Sequence, residues 1–299
     1  MSLAAVPAVA HASSRTAQWG FRNESDPNPK APSTPNLWDC IVKGAEGGTA
    51  TFGANLASFP LILRARQAQV VRQVVSHQKR PFWFRVSRTI GPGIGFSAWS
   101  VPGGALFFGF REYFKEHFKE GHSSGLAQVI SITGASLPEA TWRQFSEVGL
   151  AVAAQRRCGL GEALKHAGPV IHRGFLTLVV ADISWNIPFF MGTWYLNHHL
   201  FPNGKDNIWV QTGYGIGLGG VATIINHPAD LISTRLKQGE KLSEIMAELK
   251  RAHTYFLKTG SVTQLRKMMG VGLMARVGFN TVSGGVLLGI LEVTRWLDT

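Results

Sequence analysis

Residues 213 to 238 read GYGIGLGGVATIINHPADLISTRLKQ, an uncharged glycine-rich run closed by Pro228 and followed at once by Asp230, Arg235 and Lys237. Gly215 and Gly219 stand four residues apart, the spacing that lets two membrane helices approach closely. The glycines superficially match a phosphate-cradling loop. They sit, however, inside an apolar run, without the strand and the acidic residue that a dinucleotide site requires, and therefore read as helix packing.

Working outward, the same punctuation occurs twice more: Pro60 in SFPLILRARQAQ and Pro138 in SLPEATWRQ also end uncharged runs and open polar ones. Thirteen residues before the three prolines stand Gly47, Gly125 and Gly215. A second register accompanies the first. Pro102 in SVPGGALFFGFREYFK is followed ten residues on by Glu112, and Pro188 in WNIPFFMGTWYLNHHLF by His198. In FNTVSGGVLLGILEVTR, Glu292 follows Val282 at the same distance, where the proline is missing. Self-similarity at a period of roughly ninety residues predicts three copies of one unit, at about 39–118, 119–204 and 205–299, after an N-terminal segment 1–38.

Charge placement says what the unit is. Stretches without Asp, Glu, Lys or Arg run over 47–63, 89–110, 123–138, 183–204 and 277–291, and again from Asn207 to 229. Most approach the ~20 residues needed to cross a hydrocarbon core. Of the 30 basic residues, 21 fall in the segments 64–88, 139–173 and 230–276, with only 7 of the 18 acids. Basic charge in alternate connections is the pattern expected when those connections face one compartment. The net charge of +12 is thus assigned to loops and not to nucleic acid; Phe82, Trp83 and Phe84 among the arginines are a faint version of a nucleic-acid pattern. The fold expected is an all-α membrane protein of six transmembrane helices in three pseudo-threefold repeats. Short amphipathic helices should lie on one membrane face; KLSEIMAELKRAHTYFL places Leu242, Ile245, Met246 and Leu249 on one side.

At these residues the chain resembles the mitochondrial carrier family. PADLISTRLKQ after a glycine-rich helix matches the family's proline, acid, base and arginine motif except at Ser233; HRG at 172–174 resembles the turn before its even-numbered helices, and LMARVGF at 273–279 the start of the last one. The resemblance spans about 38–299 and implies a multi-pass protein of the inner mitochondrial membrane. It also implies bound cardiolipin, with Arg173 and Gly174 as the lipid-binding turn, and no other cofactor.

The resemblance further assigns positions. Family members close the matrix side with ion pairs between one repeat's motif acid and the next repeat's base. The acid slots here hold Ile62, Ala140 and Asp230 and the base slots Ala65, Arg143 and Ser233, so none of the three implied bridges is expected. At the opposite gate the slots hold Glu112, His198 and Glu292, and Lys115, Phe201 and Arg295. Only Glu292 with Lys115 makes the implied pair. Substrate-contact positions fall on Trp99, Trp185 with Asn186, and Phe279, with Arg276 near by. Three aromatics converging midway are expected to fill the central cavity and to leave it without the bases that an anionic metabolite needs. The competing reading is an apolar or flat cationic solute held on ring faces.

Other features carry less. Asp182, within a membrane helix, would cost ~2.5–3.5 kcal/mol unpaired and should find a partner on a neighbouring helix. His198 and His199 point about 100° apart on a helix, and neither they nor Cys40 and Cys158 have metal-ligand spacing. Residues 1–38, with Arg15 and Arg22 before the first acid, resemble a weak transit peptide or a flexible tail, whose Trp19, Phe21 and Trp38 would suit a neighbouring subunit. No motif of an enzyme is present in the sequence. A shell kept in register around eroded gates points first to a structural subunit of a large inner-membrane assembly such as a respiratory-chain complex, held by its partner subunits and phospholipids. The alternative is an atypical solute carrier.

Overall fold

The computed structural model describes residues 36–70, 82–118, 124–156, 171–204, 206–237, 239–264 and 272–297, with 162, 165, 168 and 270, and side chains throughout these except 62–70, 82–93, 124, 146, 149–156 and 203. Among them are seven α-helices and no strand: α1 (Leu37–Val70), α2 (Phe82–Phe118), α3 (Ser124–Arg156), α4 (Phe175–Tyr195), α5 (Ile208–Lys237), α6 (Leu242–Thr259) and α7 (Leu273–Leu297). α4 runs on through a π-helical turn, Leu196–Leu200. Pro60, Pro138 and Pro228 lie inside α1, α3 and α5, and Pro188 inside α4.

Six helices close a ring. α1 packs on α2, α2 on α3, α3 on α4, α4 on α5, α5 on α7, and α7 returns to α1; α6 stands outside. Polar side chains stitch the seams. Asn55 donates to Ser100 at 2.7 Å across α1 and α2, and the Trp142 indole donates to the Trp99 carbonyl at 2.8 Å across α2 and α3. Asn186 donates to Ser136 at 3.0 Å across α3 and α4, and Asn280 to Thr223 at 2.7 Å across α5 and α7.

The ring buries many polar side chains beside an apolar cluster that includes Phe107, Phe108, Phe189 and Phe190, and it exposes large apolar ones, which a water-soluble protein keeps few of. Asp182, Asn226, Thr223 and Asp230 are buried, whereas Leu176, Val180, Trp209, Ile224, Ile225 and Met274 are exposed. Three segments, Phe175–Leu200, Ile208–Lys237 and Leu273–Leu297, are long and apolar enough to cross a membrane. α1, α2 and α3 have 34, 37 and 33 residues, or about 50 to 55 Å at 1.5 Å per residue, and are more polar.

The expected amphipathic helix forms as α6, with Ile245 and Ala252 buried. It is tied to the end of α5 by Arg235, which bonds Glu240 at 2.5 Å and Glu248 at 2.6 Å. Of the N-terminal segment, residues 1–35, with Trp19 and Phe21, lie outside the described residues, as does Cys158; Trp38 opens α1 and is exposed.

The tightest seam is that of α5 and α7. A Cβ built on Gly215 would land on the Gly284 carbonyl, and one on Gly284 would land on that of Gly215, whereas at Gly217 it would meet nothing within 4 Å. Gly215→Val should therefore destabilise the protein by about 1–3 kcal/mol, the range for overpacking a close contact, and lower its melting temperature in detergent. Gly217→Ala should leave that temperature nearly unchanged.

Candidate functional site

The ring encloses a cavity of about 1140 Å3 of empty space, counted to its open mouth, and all six ring helices line it. Thr51 and Asn55 come from α1, Phe96, Ser100 and Phe107 from α2, Glu139, Arg143 and Glu147 from α3. α4 contributes Asp182, Trp185, Asn186 and Phe190, α5 contributes Asn226, and α7 contributes Arg276, Phe279, Asn280 and Ser283.

The expected filling of the cavity by three aromatics is not what the structure has. Trp99 stacks at 5.2 Å on Trp142, its backbone carbonyl taking that indole N–H, and does not line the cavity. Trp185 is held against Phe189 at 4.5 Å, so it forms wall and not plug; Phe279 and Arg276 also line the wall. Nor is the wall without bases, because Arg143, read from the sequence as a gate residue, lines it together with Arg276.

Two groups of ion pairs lie at the cavity wall. Arg143 of α3 pairs with Asp182 of α4 and, at 3.3 Å, with Glu147 one turn along. Glu147 lies 3.7 Å from Lys237 of α5, and Asp230 of α5 pairs with Arg276 of α7. Four helices are thus joined by charges of which Glu147, Asp182, Asp230, Lys237 and Arg276 are buried, while the Arg143 side chain is 29% exposed. Asp182 has found the partner on a neighbouring helix that its position demanded. Glu139 lines the same cavity and accepts from the Asn186 amide at 3.1 Å; among the described residues it makes no ion pair.

The matrix-gate positions take other roles. Asp230 and Arg143 are paired, with partners outside the family's slots. Ser233 donates to the Gly174 carbonyl at 3.1 Å, and Ala140 is fully buried. The side chains of Ile62 and Ala65 lie outside the described residues. Ser233 therefore uses the base slot to fasten α5 to the turn before α4. Gly174 in that turn has φ +72°, and a Cβ there would meet the Ser233 carbonyl at 2.8 Å, so the position demands glycine. Gln144 of α3 donates to the carbonyls of Ile171 and, at 2.9 Å, Arg173, closing the turn from the other side; the Arg173 side chain is exposed.

At the opposite gate the expected Glu292–Lys115 pair is not made. Lys115 pairs along its own helix with Glu112 at 3.0 Å, and Glu292 with Arg295 at 2.8 Å and with the Trp296 indole at 3.1 Å. A partner one helical turn away needs no approach of neighbouring helices. His198 is exposed and stacks at 4.9 Å on Trp194; Phe201 is exposed near Tyr214. Lys43, Glu112, Lys115, Glu292 and Arg295 line a second cavity, of about 750 Å3 of empty space counted to its open mouth; His198 and Phe201 are not among its lining residues. Phe108 and Phe190 line both cavities, and with Phe107 they form an aromatic layer, Phe107 stacked on Phe190 at 5.1 Å and Phe108 edge-on to both. Arg111 caps that layer, 4.7 Å from the Phe190 ring.

Glu147, Lys237 and the aromatic layer were not anticipated. Spacing carried a signal for two of them: Glu147 follows Arg143 by one helical turn, and Lys237 follows Asp230 by two. Among the described residues no group of three His, Cys, Asp or Glu could hold a metal ion. In comparison with known proteins, the chain matches no family model and no curated protein.

Removing one partner of a buried pair leaves the other charge uncompensated, at a cost of about 3–5 kcal/mol. Arg143→Met alone should therefore lower the melting temperature sharply. The double change Arg143→Met with Asp182→Leu should recover most of the loss in the same thermal unfolding assay.

Proposed function

We propose that this chain is a solute carrier of the mitochondrial-carrier type, acting in the inner mitochondrial membrane. Its six ring helices work as three membrane-spanning pairs around one central path. The observation that carries this reading is the open cavity with a side chain from every ring helix, bordered by ion pairs between different helices. A scaffold has no need of such a cavity, because burying charge around empty space costs stability that a packed apolar core would not. A carrier uses both features, since ion pairs between helices can be exchanged for bound solute as the path opens.

The alternation is between two cavities separated by one aromatic layer. Solute enters on one side, held by Trp185, Asn186 and Phe279, and leaves on the other once the charged network parts. Arg173 and Gly174, at the turn that fastens α3 and α5, are the proposed seat of a phospholipid such as cardiolipin.

One observation favours a second reading, a transport-inactive subunit of a large inner-membrane assembly such as a respiratory-chain complex. Glu112 with Lys115 and Glu292 with Arg295 pair along their own helices, where the family's latch joins neighbouring repeats. The two readings part in proteoliposomes. A carrier should exchange at least one solute from a panel of mitochondrial metabolites. Trp185→Ala or Phe279→Ala should change that rate at least several-fold, and Val221→Ala, on the outer surface, should not. No exchange of any solute, with all the protein extracted by mild detergent running in a very large complex, would replace the carrier reading by the second one.

A further inference from the structure

The charged network at the cavity has one carboxylate more than it has cations. Among the described residues it has four carboxylates, Glu139, Glu147, Asp182 and Asp230, for three cations, Arg143, Lys237 and Arg276. The carboxylate without an ion pair is Glu139, and its one hydrogen bond is from a neutral amide. The buried groups without a hydrogen-bond partner on the same wall are two acceptors, Asp182 Oδ2 and Asn226 Oδ1, and two donors, Trp185 Nε1 and Arg276 Nε. Asn226 is 3% exposed.

Buried acceptors left open are costly, about 1–3 kcal/mol each and more for a charged group. Glu139, Asp182 and Asn226 all line one cavity that also presents the rings of Trp185 and Phe279. Carboxylate, carbonyl oxygen and aromatic face together describe one kind of ligand: a cation with several N–H donors and a flat apolar body. An anionic solute would find Arg143 and Arg276 paired with Asp182 and Asp230, with the Arg276 Nε donor open, and would meet the Glu139 carboxylate.

We infer that the cavity is a binding site for an organic monocation of the amidinium or ammonium class, with Glu139 as its counter-ion. Asp182 and Asn226 supply the remaining acceptors, and Trp185 and Phe279 face the ligand's flat part. The inference rests on the carrier reading for its purpose, and names the substrate class of that site. Asn186 is a positioning residue, because its amide holds the Glu139 carboxylate and is itself fixed on Ser136.

The test uses the purified full chain in detergent and three probes of one shape: benzamidinium, neutral benzamide and anionic benzoate. Benzamidinium should raise the melting temperature in a concentration-dependent way, and benzamide and benzoate should not. Glu139→Gln keeps an acceptor for Asn186 and removes the charge; it should weaken benzamidinium binding about 10- to 100-fold, the effect of losing a charged hydrogen-bond partner. Equal stabilisation by benzamide, stronger stabilisation by benzoate, no stabilisation by any probe, or full affinity in Glu139→Gln would each overturn the proposal. Binding and transport are read separately. Exchange of some solute by a protein indifferent to benzamidinium sinks this inference and leaves the carrier reading. Benzamidinium binding through Glu139 in a protein that exchanges nothing sinks the carrier reading and leaves the site.

Discussion

Charge buried where water is scarce is the constraint on which the rest of the structure depends. A buried carboxylate without a partner is unfavourable by several kcal/mol, so Asp182, Glu147 and Asp230 dictate where their partners must come. Arg143, Lys237 and Arg276 come from three different helices, and the resulting pairs set the mutual rotation of α3, α4, α5 and α7. Every other polar seam in the ring agrees with that rotation. Asn186 reaches Ser136 and Asn280 reaches Thr223 from the same faces that carry the charges inward.

Close approach of backbones supplies what the charges cannot. Between lipid-facing helices there is little hydrophobic driving force, so contact must come from small residues and interhelical hydrogen bonds. The mutual fit of Gly215 and Gly284 brings α5 and α7 together closely enough for the Asn280 to Thr223 bond. The outer surface bears large apolar side chains, and the cavity wall mixes charged and amide groups with the rings of Phe96, Phe107, Trp185 and Phe279. α6 lies outside the ring and is anchored by ions at its junction with α5, as suits a helix on a membrane surface.

Much of this could be read from residues. The uncharged runs and their prolines mark helices that the structure contains, and the heptad-like face of 242–249 marks α6, because periodicity and charge are local properties. The glycine spacing at 215 and 219 anticipated a close helix contact. The cavity itself was misread, because three aromatics at family positions say nothing of rotamer or neighbour: Trp99 turns to Trp142 and Trp185 lies flat on Phe189. The Glu292–Lys115 pair failed for a related reason. Each group has an opposite charge three residues away on its own helix, and a contact one turn away is satisfied before one across a seam. Slot-by-slot comparison also hid the ion network, since its partners sit outside the slots: Asp182 in mid-helix, and Glu147 and Lys237 one and two turns beyond the motif residues they accompany.

The account stands on a ring of helices in lipid with a solvent-reachable centre, and cysteine accessibility in native membranes tests that most directly. With Cys40 and Cys158 replaced by serine, Ser283→Cys on the cavity wall and Ile224→Cys on the outer surface would be exposed to a membrane-impermeant maleimide. The account predicts labelling at position 283 and protection at 224, where lipid excludes the reagent. Labelling at 224 with protection at 283 would contradict it, because the apolar face would then be in water and the cavity closed.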